Sequence, residues 1–152
     1  MTPPRGPLHD LRVLEYTGTL AGHFAGWLLS ELGATVVRVE RPRPAWPAGE
    51  RVLHRGKHLL LHDPAQVDAA ARVADVLLRD EHAPWLTPAD TTIDCRLSAW
   101  GDAAPRPPLP PDEPLVAAAT GVFSSQWSWS KRPVWMVTPM VSYMAGILAA
   151  LG

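Results

Sequence analysis

Apolar positions along the chain switch between alternating and helical spacing. Leu11 to Tyr16 reads as a short first strand, and Thr17 to Gly22 as a turn of small residues. From Leu20 to Leu32 the apolar residues Phe24, Leu28, Leu29 and Leu32 fall near a period of 3.6, which predicts a helix, and Gly33 is a fitting stop. Thr35-Val-Val-Arg-Val-Glu40 is β-branched and alternating and predicts a second strand. His58 to Leu61 predicts a third, and Asp63 or Pro64 opens a helix that runs to about Val73. Asp75 to Leu78 is a marginal fourth strand through which the helix could instead extend. Ile93 to Leu97 is a fifth. Leu115 to Phe123 and Met140 to Leu151 read as helices. This order predicts an α/β fold: a Rossmann-like, mostly parallel sheet with flanking helices, ending in an apolar helix.

The chain has 152 residues, which suits one domain over 1–152. Its 17 prolines cluster at Pro42–Pro47 and Pro105–Pro114; the first cluster falls in a loop over 42–56 and the second in a linker near 103–114. A net charge of −1 without basic or acidic blocks gives no reason to expect nucleic acid or an anionic membrane as partner. The single cysteine, Cys95, allows no internal disulfide and reads as a core residue of a strand, and a cytoplasmic setting is expected. Core packing is the first reading of the seven tryptophans, with ligand contact or an interface as alternatives. Val134 to Gly152 carries no charge, yet Pro139 and the polar Thr138, Ser142 and Tyr143 argue for a helix buried against protein rather than a membrane span.

The first turn carries the clearest local chemistry. A strand, a small-residue turn and a helix start leave backbone N–H groups free for an anion, and Gly18 and Gly22 would let a phosphate approach. Glu40 stands where a dinucleotide-binding domain places its ribose acid, but Gly18-x-x-x-Gly22-x-x-x-Gly26 is not the G-x-G-x-x-G spacing, so NAD is a weak reading. His54, His58 and His62 recur every four residues and would share a face on a helix or a strand; a solvated or ligand-loop reading outweighs a metal site, and no metal is assigned.

The run from Pro7 to Pro42, with Leu-Arg-Val-Leu-Glu-Tyr and Leu-Gly-Ala-Thr-Val-Val-Arg-Val-Glu within it, resembles the opening of family III CoA-transferases, the CaiB–BaiF family. Arg55-Gly-Lys57, Ala74-Asp-Val-Leu77, Leu97-Ser-Ala-Trp-Gly101, Ala119-Thr-Gly121 and Gly146-Ile-Leu-Ala-Ala-Leu151 resemble later family segments in the right order. The resemblance implies CoA or an acyl-CoA as ligand. It places Thr19, Leu20 and Ala21 beside the CoA chain and assigns Arg41 and Lys57 to its charged groups, where cations make charge-assisted contacts.

The departures from the family pattern weigh as much. The family's nucleophile is an aspartate about ten residues before the Gly-Ile-Leu-Ala-Ala-Leu glycine; here that position is Met136, and no Asp or Glu follows Glu113. The racemase branch adds a histidine upstream of its Ser-Gly motif, where this chain has Asp112-Glu113-Pro114. A Glu-Asn-Phe-Arg-Pro-Gly motif of the family's CoA site is replaced by Arg79-Asp-Glu-His-Ala-Pro84. Family members are usually more than twice as long and interlock as dimers, so the resemblance implies a homo-oligomer or a partner chain supplying the missing half. Three functions stay open: a degenerate CoA-binding subunit, an enzyme completed by another chain, and a dinucleotide-binding or interaction module.

Overall fold

A computed structural model describes residues 6–40, 49–81, 83–101, 109–126 and 128–152. Five strands form one parallel sheet in the order β3-β2-β1-β4-β5: β1 is Arg12–Tyr16, β2 Thr35–Glu40, β3 His58–Leu61, β4 Val76–Asp80 and β5 Ile93–Leu97. The order reverses between β1 and β4, the switch point of a doubly wound sheet.

Helix α1 (Leu20–Glu31) follows β1, α2 (Pro64–Val73) follows β3, and α3 (Glu113–Ala119) and α4 (Met140–Leu151) follow β5. Strand alternation divides the core. Leu14, Tyr16, Val39 and Leu77 face α2, where Val67 and Ala71 meet them, and Ala83 and Leu86 of the β4–β5 connection complete the layer. Val13, Val36, Val76 and Leu78 face α1 with Ala25 and Leu29, and Ala149 and Ala150 of α4 join them. A fully buried Leu such as Leu14 or Leu77 contributes roughly 1.5–3 kcal/mol.

The helix starts follow local chemistry. Thr19 caps α1 by accepting the Gly22 N–H at 3.2 Å, and Asp63 caps α2 by accepting the Ala65 N–H at 3.0 Å with Pro64 in the first turn. Gly33 (φ +100°) ends α1 against Gly6, a close approach that a side chain on either residue would block.

The marginal fourth strand is present and α2 does not extend through it: Ala74 is extended, and Val76-Leu-Leu78 is buried between β1 and β5. Two expectations are corrected. The helix expected to reach Phe123 stops at Ala119, because Gly121 turns left-handed (φ +79°) and Val122–Ser124 forms a 3-10 turn instead. The tryptophans are not core: of those described, Trp27 and Trp100 are half-buried, while Trp85, Trp129 and Trp135 are exposed.

Among the described residues, helix α4 meets protein on one face. Its Gly146 sits so close to α1 that a Cβ there would lie 2.7 Å from the Ala21 carbonyl oxygen. The opposite face exposes Met140, Met144, Leu148 and Leu151. No helix among the described residues is long and apolar enough to cross a membrane.

Candidate functional site

Open parallel sheets bind ligands beyond the carboxyl ends of their strands, beside the switch point. A cavity of about 110 Å³ lies there. Thr19 and Ala21 at the start of α1 line it, with Ser98 just after β5, Glu113 of α3, and Val141 and Ser142 of α4.

The turn into α1 is closed by the chain itself. The Gly18 N–H donates to Asp80 Oδ2 at 2.6 Å, the Thr19 N–H to Thr17 Oγ1 at 3.1 Å, and the Gly22 N–H to Thr19 Oγ1. The sequence predicts free N–H groups here; the structure has Asp80, at the end of β4, supplying the negative charge that a ligand phosphate would bring. Nor do the glycines open the turn to a ligand. A Cβ on Gly22 would lie 2.2 Å from Thr17 Oγ1, and one on Gly26 would lie 2.0 Å from Glu15 Oε2. Glu40, at the position where a dinucleotide-binding domain places its ribose acid, forms an ion pair with Arg38.

Gly26 opens onto a buried charge cluster between the sheet and α1. Glu15 is fully buried; Lys57 donates to its Oε2 at 2.5 Å and His23 Nδ1 lies 2.7 Å from its Oε1. The Lys57 ammonium also donates to the His23 carbonyl at 2.8 Å. Burial is the main force lowering the Lys57 pKa, and the Glu15 carboxylate pulls against it. His54 stacks edge-on against His23, with centroids 4.9 Å apart. Its pKa is lowered to about 4, first by burial and then by the charges of Arg38, His23 and Lys57. Glu15, His23 and His54 bring ligand atoms within 4.8 Å of one another. The ammonium of Lys57 already holds the place beside Glu15 that a metal cation would need.

The site residues predicted from the sequence therefore separate. Thr19 and Ala21 reach the cavity, and Leu20 is half-buried between them in the chain. Lys57 turns inward to Glu15 instead of presenting its ammonium to a nucleotide. Arg41 lies outside the described residues. His54, His58 and His62 do not share a face: His54 is in a 3-10 turn (Glu50–His54) under α1, while the His62 ring meets Tyr16 on the α2 side. Cys95 is half-buried, its thiol pushed up by burial and by Asp94.

Sequence reasoning missed Glu113 and Arg79. The Glu113 carboxylate caps α4, accepting the N–H groups of Val141 at 3.0 Å and Ser142 at 2.8 Å, and the Ser142 hydroxyl donates to the same carboxylate. Arg79 forms a two-point pair with Asp94 at 2.8 and 2.6 Å and donates to the carbonyls of Ala83 and Leu86, fixing the β4–β5 connection. Neither had a local signal, since each partner is set by the fold. Met136 is half-buried in the irregular stretch before α4.

The sequence model of CoA-transferase family III matches residues 8–58, which span β1, α1, β2 and the Arg-Gly-Lys segment. The solved structure of Rv3272 from Mycobacterium tuberculosis superposes on 97% of the chain with a TM-score of 0.75 at 27% identity. Over its first strand, first helix and second strand the chain resembles CoA-transferase family III. The chain is 28% identical to the probable fatty acyl-CoA transferase Rv3272 of Mycobacterium tuberculosis over 97% of its own length and 47% of that protein's. It is 51% identical over 55 residues to the succinyl-CoA–D-citramalate CoA-transferase of Chloroflexus aurantiacus, which is 36% of this chain and 13% of that enzyme. A CaiB/BaiF family protein from Brucella suis shares the fold, with a TM-score of 0.83 at 19% identity, again over 48% of its length. The chain thus spans about half the length of the relatives it matches end to end.

Proposed function

We propose that this chain is a CoA- or acyl-CoA-binding subunit of family III without transferase activity of its own. The observation that carries the reading is the state of the α4 N-terminus. The position of the family nucleophile holds Met136, whose thioether cannot form an acyl anhydride, and no carboxylate follows Glu113 in the sequence. Glu113 itself has both oxygens engaged as the cap of α4. What remains in the cavity is suited to binding: the Thr19 and Ser98 hydroxyls beside apolar walls.

Thr19, Leu20 and Ala21 would lie along the CoA chain and Arg41 would meet its phosphates. Lys57 would act on that contact only by holding α1 to the sheet through Glu15. A second reading, an enzyme completed by another chain or copy, draws on the exposed Met140, Met144, Leu148 and Leu151 of α4, an apolar face suited to a partner.

Calorimetric titration with CoA and acetyl-CoA tests the binding. Arg41→Ala is expected to weaken it about tenfold, the loss of one charge-assisted contact of ~1.5 kcal/mol. No heat with either ligand would refute the reading. Acyl exchange to a carboxylate acceptor by the purified chain would refute the loss of activity. Exchange that appears only with a second polypeptide would favour the completed enzyme.

A further inference from the structure

A second cleft lies away from the strand ends and shares no lining residue with the cavity above. It has a volume of about 290 Å³ and is lined by Ser124, Ser125, Gln126, Ser128, Lys131 and Arg132. From residue 114 to 152, Lys131 and Arg132 are the only charged side chains, so this part of the chain has two positive charges and no acid of its own. Neither cation forms a salt bridge with a described residue.

The loop that presents them is ordered around Ser128. Its carbonyl accepts the Lys131 N–H at 3.0 Å, its hydroxyl accepts the Arg132 N–H at 3.2 Å, and the Ser128 and Ser130 hydroxyls lie 3.0 Å apart. Lys131 is left-handed at φ +55°, alone among the described non-glycine residues. A lysine pays for that conformation, and residues kept at such angles cluster where a ligand is held. Trp129, between the two serines, has a relative exposure of 107%, so its indole faces water entirely. An aromatic plane left in water on the loop that carries both cations suits stacking on a planar ring.

Hydroxyls, a carboxamide, an ammonium and a guanidinium, with no carboxylate among them, form a donor set for an oxyanion bearing several acceptors. We infer that this cleft binds the phosphate of a nucleotide, with Lys131 and Arg132 on its oxygens and Trp129 against the base. A volume near 300 Å³ admits a phosphate and its sugar and leaves the base in solvent, into which the Trp129 indole of the same loop also projects. The inference is independent of the CoA reading, because the cleft shares no lining residue with the cavity assigned to CoA.

Calorimetry with ADP and with inorganic phosphate at low salt tests it on the full chain. Asn tolerates the left-handed region, so the double variant Lys131→Asn/Arg132→Gln keeps the loop, which an unchanged melting temperature would verify. This variant is expected to weaken both ligands at least about tenfold, and wild-type affinity is expected to fall as salt rises. Trp129→Ala is expected to weaken ADP and leave inorganic phosphate unchanged. The double variant is compared in an Arg41→Ala background, so that ADP held at the proposed CoA site is not counted. No ADP binding by the wild-type chain, or ADP binding that survives the double variant, would overturn the proposal. ADP affinity untouched by Trp129→Ala would overturn the base contact.

Discussion

Gly26→Ala reverses an ordinary rule. In a helix interior, alanine is favoured over glycine by roughly 1 kcal/mol, so the change in α1 would be expected to stabilise. Here the added methyl would lie 2.0 Å from Glu15 Oε2 and 3.0 Å from Lys57 Nζ. Neither neighbour is free to withdraw: Glu15 and Lys57 have side chains 0% and 1% exposed, and Glu15 also meets His23. Clearing the methyl means breaking a buried ion pair, which costs about 3–5 kcal/mol, so the net loss is roughly 2–4 kcal/mol. Urea unfolding followed by circular dichroism measures it. The same substitution in a Glu15→Leu/Lys57→Met background isolates the cause, since without the charges the alanine is expected to be near neutral or stabilising. A wild-type-background Gly26→Ala protein as stable as its parent, or more so, would refute the assignment of Gly26 to this cluster.

Two further outcomes follow from the same face of the sheet. His54 is lowered from 6.5 to about 4, so between those values the unfolded chain binds more protons than the folded one, and stability rises with pH across that window and is lost as pH falls through it. The full shift corresponds to roughly 3 kcal/mol, and because the residue is only half-buried this is reduced to about 1–2 kcal/mol. His54→Phe is expected to flatten the urea-midpoint difference between pH 7 and pH 4.5, and an unchanged difference would contradict it. At the α1–α4 crossing, Gly146→Val would push against the Ala21 carbonyl and the Phe24 ring and is expected to cost about 1–3 kcal/mol, read as a lower melting temperature.

How far the sequence could be read depended on whether a residue's partner was near it in the chain. Thr35-Val-Val-Arg-Val-Glu40 announced β2 because a strand's period is local, and Asp63-Pro64 announced the start of α2 because a cap needs only the next turn. The same local view does not say where the polar positions point. Glu15 and Arg38 alternate with valine and leucine as solvent-facing residues of a half-buried strand would, yet both point beneath α1, and Glu15 finds its cation 42 residues away. Glu113 finds the N–H groups it caps 28 and 29 residues away, and Asp80 reaches back 62 residues to Gly18. The glycines misled for the same reason. Their four-residue spacing shows that Gly22 and Gly26 share a face of α1, but not whether a ligand or the chain's own Thr17 and Glu15 comes against it. A small-residue turn at a helix start is therefore weak evidence for a phosphate site until its N–H groups have been accounted for. In this chain those of Gly18, Thr19 and Gly22 go to Asp80, Thr17 and Thr19. The ordered series of family segments is the better guide, because it reports the whole topology that brings those distant partners together.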